Sequence, residues 1–218
     1  MDTEITWYGH SCFQLTERKL ATVVTDPYDH QVVGYKPIKL KADIVTISRD
    51  LPGHNHLSSI KGTPYPVTGP GEYEIGGVFI TGVQTNGQSK KNKDELINTM
   101  FVIDFNGLTI AHLGEMNRVP NQTEVEDLGS VHVALVPVGG GDSLNAAKAA
   151  EVISLLEPSI VIPMYYATDD AAVKLDSLAK FLKEMGLSGV EPQDSLKIGG
   201  ITNLPEETKV VVLKSQHG

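Results

Sequence analysis

Polar side chains able to bind a ligand or transfer a proton follow several β-branched segments, at the points where strands are predicted to end. These side chains are His10, Asp26, Arg49, Asp50, His54, Glu115 and Tyr165. Strand ends and the loops that follow them are where domains built from strands and helices place their ligands. Histidines and carboxylates are also the common acid–base groups and metal ligands of proteins. The pattern predicts that any chemistry of this chain occurs at these strand ends.

Short strands separated by turns are predicted for the first half of the chain, and alternating strands and helices for the second. The run ADIVTIS at 42–48 is typical of a buried strand, and Asn106-Gly107 is typical of a hairpin turn. Helices are predicted over 123–128, 145–156 and 175–185, and a last strand over 210–213. We therefore expect an α+β fold with two mixed β-sheets and helices outside, formed by one domain over residues 1–218.

Composition excludes several classes of protein. The 218 residues carry a net charge of −9, and 40% of them are hydrophobic, as in a globular protein with a buried core. No apolar run approaches the ~18 residues of a membrane span, so no membrane partner is expected. The acidic balance argues against nucleic acid, because phosphate binding needs clustered cations. The basic cluster at Lys90, Lys91 and Lys93 is typical of a solvated loop.

The single cysteine, Cys12, excludes an internal disulfide and fits a reducing compartment. The first residues are acidic and enter a strand pattern at once, so no signal peptide is expected. We therefore expect a cytoplasmic protein, in which Cys12 packs in the core.

Seven segments, in their order along the chain, resemble the metallo-β-lactamase superfamily, in its branch of small metal-dependent hydrolases related to the ascorbate-phosphate lactonases. The segments are ITWYGHSCFQL, TVVTDPYD, ADIVTISRDLPGHNH, PGEYEIGGVFITGV, TIAHLGE, LVPVGGG and IVIPMYYAT. The resemblance runs nearly end to end. It implies a four-layer αβ/βα sandwich with a metal site in the cleft between the two sheets. It also implies that the protein forms a homo-oligomer.

The resemblance also implies that the main metal-binding motif, His-x-His-x-Asp-His, follows segment 42–48. Its four ligand positions hold Arg49, Leu51, Gly53 and His54. Leu51 and Gly53 have no side-chain donor, and the guanidinium of Arg49 keeps its proton and repels cations. His54 is the one unchanged ligand of the motif.

The later ligand positions implied by the resemblance are altered as well. Segment 84–88 has no histidine, Glu115 stands where the family has an aspartate, and Tyr165 stands where it has a histidine. A tyrosine ligates only as the phenolate, against an ordinary pKa near ~10. The remnant candidates for metal binding are His54, Glu115 and His56, and together they make a poor site. We expect Arg49 to lie in the metal pocket and to pair with Glu115, Asp26 or Asp50.

Three functions follow from this comparison. The first is a non-catalytic protein with a binding or structural role, with no cofactor and with an unidentified small molecule as its ligand. The alternative is a metal-dependent hydrolase of the phosphoester or lactone type, with a rewired site for a single Zn- or Mn-class ion. The third is a metal-free hydrolase in which Ser48, Ser58 or Ser59 acts with His54, although no nucleophile motif such as Gly-x-Ser-x-Gly marks a serine.

Other candidate residues have a structural interpretation. His10 and His112 are expected to be hydrogen-bonded histidines beside the site. The run Gly139–Gly141 lacks the lysine of a phosphate-binding loop, and it is expected to form a turn at the cleft.

Overall fold

The computed structural model describes residues 2–86 and 97–216, and its strands form two large mixed sheets and one small one. The strands are β1 (Thr3–Trp7), β2 (Phe13–Thr16), β3 (Val23–Thr25), β4 (Leu40–Lys41), β5 (Ile44–Thr46), β6 (Ile60–Lys61), β7 (Tyr65–Val67), β8 (Gly71–Ile75), β9 (Val78–Asn86), β10 (Ile97–Phe105), β11 (Leu108–His112), β12 (Val133–Pro137), β13 (Ile160–Met164), β14 (Leu196–Ile198) and β15 (Lys209–Val210).

The first sheet has the strand order β14-β1-β2-β3-β5-β7, and the second has the order β15-β13-β12-β11-β10-β9-β8. Strands β3, β5 and β7 are parallel in the first sheet, and β11, β12, β13 and β15 are parallel in the second. Strands β4 and β6 form a separate parallel pair. The two mixed sheets confirm the predicted fold class.

The main core lies between the two sheets and continues beneath the helices. Strand β1 alternates buried and half-buried residues, with Ile5 and Trp7 facing the core. Strands β12 and β13 are buried along their whole length, as expected for central parallel strands covered on both faces. A second apolar cluster, which includes Val24, Val45 and Tyr28, covers the outer face of the first sheet.

The helices are α1 (His30–Val33), α2 (Gln122–Leu128), α3 (Ala146–Leu156) and α4 (Leu178–Glu184). Asn145 is the N-cap of α3 and accepts from the backbone N–H of Lys148, and a capping box begins α2. These helices confirm the predictions for 123–128 and 145–156. Across the described residues, no helix has the length and apolar character needed to cross a membrane.

Two predicted elements are shorter than expected. The helix predicted over 175–185 begins only at Leu178, because Asp176 donates its backbone N–H to Gly139 and accepts from Ala167. The strand predicted over 210–213 stops at Val210, and the backbones of Val212 and Lys214 hydrogen-bond with Gln193 instead. The Asn106-Gly107 hairpin is confirmed, with both residues at positive φ between β10 and β11. The cluster Lys90, Lys91 and Lys93 lies outside the described residues.

Candidate functional site between the two sheets

Four strand ends, two from each sheet, bring the predicted polar residues together. Asp26 directly follows β3, and Arg49 lies in the loop after β5. Glu115 lies in the turn after β11, and Tyr165 directly follows β13. Because β3 and β5 are parallel, as are β11, β12 and β13, each pair of residues leaves its sheet at one edge. The two edges meet in a cleft that holds these side chains.

Five side chains form one connected set, which we call the cleft network: Asp26, Arg49, His54, Glu115 and Tyr165. The Arg49 Nη1 atom donates to Oε2 of Glu115, and the Tyr165 hydroxyl donates to Oε1 of Glu115 at 2.5 Å. His54 Nε2 lies 3.3 Å from Oε2 of Glu115, and His54 Nδ1 lies 2.8 Å from Oδ2 of Asp26. Arg49 was expected to pair with Glu115, Asp26 or Asp50, and Glu115 is a partner that the structure shows.

Asp26 is held in the network by the loop that carries Arg49. The Ser48 backbone N–H donates to Oδ1 of Asp26 at 2.7 Å, and the Ser48 hydroxyl donates to Oδ2 at 2.6 Å. His112 Nε2 donates to the Ser11 carbonyl at 2.9 Å and lies 3.9 Å from the Asp26 carboxylate. His112 thus lies beside Asp26 and is hydrogen-bonded to the backbone, as predicted for a structural histidine.

The charges of the network follow from burial and pairing. Burial opposes a charged His54, but the charge of Asp26 and the hydrogen bonds to Asp26 and Glu115 raise the pKa of His54 to about 9. Burial likewise opposes a charged Glu115, yet His54, Arg49 and Tyr165 lower its pKa to about 2. The pKa of Asp26 is also lowered, because His54 and Ser48 outweigh its burial. At neutral pH the network holds two cations and two anions.

His10 packs against the network and is uncharged. Its ring centroid lies 4.4 Å from that of Tyr165 and 5.1 Å from that of His54. Burial, and then the charge of His54, lower the pKa of His10 to about 3. Its Nδ1 atom is buried and has no hydrogen-bond partner among the described residues. His10 therefore contributes packing to the cleft.

Backbone conformations that side chains rarely adopt concentrate at this cleft. His10, Asp26 and Tyr165 have φ values of 51°, 39° and 54°. Gly114, just before Glu115, has a φ of 62°, and a Cβ there would lie 2.3 Å from Asn98 Oδ1 and 2.6 Å from Ser48 Cβ. Such conformations cost free energy and persist where the surrounding structure imposes them. The contacts around the cleft therefore hold these residues in backbone conformations that cost free energy.

Two of the predicted residues lie apart from the network. The Asp50 side chain is exposed and accepts a hydrogen bond from Asn55 at 2.7 Å. His56 Nε2 lies 2.9 Å from the Ser58 hydroxyl, outside the cleft. The structure thus brings His54 and Glu115 together and leaves His56, the third remnant candidate, on the rim.

A groove of about 600 Å³ opens beside the network, over Arg49. It is lined by Ile47, Ser48, Arg49, Asp50, Leu51, Thr68, Ile97 and Thr99. Ser48 follows β5 of the first sheet and Thr99 lies in β10 of the second. The Thr99 backbone N–H donates to the Ser48 carbonyl at 2.9 Å, so the groove lies where the two sheets meet. Its size is in the range of small-molecule sites.

Comparison with known proteins identifies the family. The sequence profile described as the Beta-lactamase superfamily domain matches residues 4–165. This chain is a member of the metallo-β-lactamase superfamily. The crystal structure of a protein described as a Zn-dependent hydrolase of this superfamily, from Thermotoga maritima, is 34% identical and has a TM-score of 0.79. The alignment covers 97% of this chain and 98% of that one.

Two further proteins are similar to this chain at lower identity, one in sequence and one in fold. A UPF0173 metal-dependent hydrolase of Thermoplasma acidophilum is 28% identical over 192 residues, which cover 77% of this chain and 84% of the relative. The structure of Igni18, a metallo hydrolase of Ignicoccus hospitalis, has a TM-score of 0.69 at 17% identity. It covers 92% of this chain and 100% of its own.

The names of these proteins imply a metal ion, whereas the donor atoms described in this cleft contact one another. A zinc-class ion takes about four donors with available lone pairs. Both oxygens of Glu115 and both ring nitrogens of His54 already face partners within the network. Across residues 2–86 and 97–216, no group of three or more His, Cys, Asp or Glu side chains is arranged to hold a metal ion. No chemical step is therefore assigned to a metal.

Sequence reasoning missed Asn98, which positions the site, and gave Ser48 a different role. The side-chain oxygen of Asn98 accepts from the backbone N–H of Glu115 at 2.9 Å, and its amide donates to the Leu113 carbonyl at 3.0 Å. Ser48 was considered as a nucleophile, but its hydroxyl donates to Asp26. Asn98 lies in none of the quoted segments, and the contacts of both residues depend on tertiary structure that a sequence pattern does not carry.

Proposed function

We propose that this chain uses the metallo-β-lactamase fold without metal-dependent hydrolysis, as a non-catalytic protein with a binding or structural role. The observation that carries this proposal is the buried ion pair between Arg49 and Glu115, whose side chains are 7% and 5% exposed. The pair joins the loop after β5 to the turn after β11, where the two sheets meet. An arginine here supplies a permanent positive charge to the cleft.

Charge balance supports the absence of a metal. Arg49 and protonated His54 offset the two carboxylates of Asp26 and Glu115. A divalent ion added to this cleft would face the Arg49 guanidinium at close range. Two unit charges at 4 Å repel by about 4 kcal/mol at the effective dielectric of protein sites, and a divalent ion doubles that figure.

Protonation states also argue against metal-free hydrolysis. Glu115 is a weak general base, because its pKa lies near 2, and Tyr165 stays a phenol, because burial and Glu115 raise its pKa. The Ser48 hydroxyl donates to the carboxylate of Asp26 rather than to a histidine base. The third function, with Ser48 and His54 as a nucleophile and base, is therefore not proposed.

The groove over Arg49 supports binding of a small molecule. Ile47, Leu51 and Ile97 supply apolar contacts, while Thr68 and Thr99 bring hydroxyl groups. This mixture of apolar walls and few polar groups is typical of ligand sites. We also propose a cytoplasmic location, because the one cysteine, Cys12, is a buried free thiol.

Hydrolysis assays test the proposal. The purified chain would be incubated with p-nitrophenyl phosphate and with a simple lactone, with and without added Zn²⁺ or Mn²⁺. A Glu115→Gln variant serves as the matched control, because it removes the carboxylate at the centre of the network. We expect no turnover above that of the variant. Metal-stimulated turnover that Glu115→Gln abolishes would favour the rewired mononuclear hydrolase instead.

A further inference from the structure

A second pocket lies at the end of the two sheets opposite the cleft network. Strand β11 runs from Leu108 in this pocket to His112 beside Asp26, so the length of the strand separates the two places. The pocket has a volume of about 340 Å³, which is in the range of small-molecule sites. We call it the Glu17 pocket, and it is lined by Thr3, Glu17, Phe105, Asn106, Leu108, Gly199, Gly200 and Ile201.

Glu17 is a buried acidic residue in this pocket, and its hydrogen-bond donors are uncharged. The residue is 9% exposed. The Thr3 hydroxyl donates to Oε2 at 2.8 Å, and the Asn106 amide donates to Oε1 at 2.6 Å. Within residues 2–86 and 97–216, none of the ion pairs between side chains includes Glu17. Because a buried carboxylate is costly unless it is paired, a cation bound beside Glu17 would be stabilised.

The polar groups around Glu17 suit an ammonium ion, which has three donors and no acceptor. Each oxygen of the carboxylate has a lone pair left for a second hydrogen bond. Asn106 turns its amide nitrogen toward Glu17, since a carboxylate only accepts, and this leaves the Asn106 side-chain oxygen as a further acceptor. A Cβ at Gly199 would lie 3.4 Å from Oδ1 of Asp2, so a second carboxylate lies beside the pocket wall. Acceptors and negative charge therefore surround the place where a cation would bind.

Apolar side chains form the rest of the wall. Phe105 and Leu108 are buried, whereas Ile201 is 49% exposed. A Cβ at Gly107 would lie 3.9 Å from Cδ1 of Ile201, so Ile201 lies against the hairpin turn that carries Asn106. This wall offers apolar contacts to the carbon chain of a ligand whose charged end lies at Glu17.

We propose that the Glu17 pocket binds a small aliphatic primary amine, whose ammonium group pairs with Glu17 and whose methylene chain packs on Ile201. The ammonium supplies the positive charge that the Thr3 and Asn106 donors lack. The site is separate from the cleft network, and it does not depend on whether the cleft is catalytic.

The test titrates the full chain with n-pentylamine by calorimetry, and with n-pentanol, which has the same carbon chain without the charge. We expect saturable binding of n-pentylamine and much weaker binding of n-pentanol. Glu17→Gln keeps the size of the side chain and removes its charge, so it should weaken n-pentylamine binding at least about 10-fold. The matched control is Glu206→Gln, at an exposed acidic residue, which should leave the Kd unchanged.

A second variant, Ile201→Ala, tests the apolar wall at an exposed position that the fold tolerates. In the wild type, each methylene added from ethylamine to n-pentylamine should lower the Kd by about 2–4-fold. Ile201→Ala should flatten this trend and leave the Kd of ethylamine unchanged. If Glu17→Gln does not fold, this trend and the comparison with n-pentanol decide the proposal.

Four results would overturn the amine site. They are the absence of saturable binding, equal binding of n-pentylamine and n-pentanol, equal binding by wild type and folded Glu17→Gln, and the same chain-length trend in wild type and Ile201→Ala. Nα-acetyl-lysinamide carries the same ammonium group on a peptide unit and distinguishes the two sources of such a group. Tighter binding of n-pentylamine supports a free amine, whereas tighter binding of Nα-acetyl-lysinamide would assign the pocket to a lysine of a protein partner and overturn the proposal.

Discussion

Arg49 and Glu115, 66 residues apart in the sequence, form a buried ion pair that ties the two sheets of the sandwich together. Each partner also belongs to a wider network. Glu115 accepts a hydrogen bond from the Tyr165 hydroxyl on its other oxygen and lies beside the His54 ring. The other side of that ring contacts Asp26. The Arg49–Glu115 pair and the His54–Asp26 pair together balance the charge of the cleft.

The Arg49→Met substitution should destabilise the protein by about 3–5 kcal/mol, because it removes one partner of a buried ion pair and leaves Glu115 with His54 as its cation. Urea unfolding of wild type and variant measures the difference. The control is Lys180→Met, which breaks the exposed Asp176–Lys180 pair and should cost at most about 1 kcal/mol. Adding Glu115→Leu to Arg49→Met should recover part of the loss, since no unpaired charge remains. Equal losses of stability in Arg49→Met and Lys180→Met would contradict the account.

Stability should fall as the pH rises from 6.5 to 9. The pKa of His54 is raised from 6.5 to about 9. The free energy of unfolding that protonated His54 contributes is therefore complete below pH 6.5 and is lost as the pH rises through about 9. At about 1.4 kcal/mol for each pH unit, the loss is about 3 kcal/mol. Urea unfolding across this range measures it. The fall in stability should be much smaller in His54→Gln. It should be unchanged in His30→Gln, which serves as a surface control. Parallel curves of stability against pH for all three proteins would refute the prediction.

The Tyr165→Phe substitution should destabilise the protein by about 1–3 kcal/mol, because Oε1 of Glu115 loses a buried donor. The matched control is Tyr65→Phe, at an exposed tyrosine of β7, which should change the free energy of unfolding by less than about 0.5 kcal/mol. Thermal unfolding of the three proteins checks this. No difference between the two variants would show that the hydrogen bond to Glu115 has no net effect.

Gly114→Ala should cost more than Gly62→Ala, although both glycines have positive φ values. The added Cβ at position 114 would meet Asn98 and Ser48, whereas nothing lies within 4 Å at position 62. The backbone conformation alone costs about 1–2 kcal/mol in each case, and overpacking adds about 1–3 kcal/mol at Gly114. Chemical denaturation of both variants measures the gap, and equal losses would mean that the turn before Glu115 adjusts easily.

Local patterns predicted much of the fold. The Asn106-Gly107 hairpin and helix α3 were correct because turn chemistry and apolar periodicity are local properties. The start of α4 was wrong, since Asp176 pairs with Gly139 across a long sequence distance. Short elements such as α1 and β4 carry too few residues to show a periodicity.

The sequence predicted which residues form the candidate site better than it predicted the contacts between them. The family resemblance placed Arg49 at a metal-ligand position and thereby predicted a carboxylate partner, and Glu115 was one of three named. The roles of Asn98 and Ser48 depend on how the two sheets meet, which no local pattern encodes. His56 was named as a remnant candidate for metal binding, yet its ring contacts Ser58.

Elemental analysis of the unmodified chain, purified without chelator from cells grown with zinc, manganese and iron, tests the central claim most directly. The account predicts no stoichiometric transition metal, and a melting temperature that neither a chelator nor added Zn²⁺ changes. One equivalent of tightly held metal, with a melting temperature that falls when the metal is removed, would contradict it.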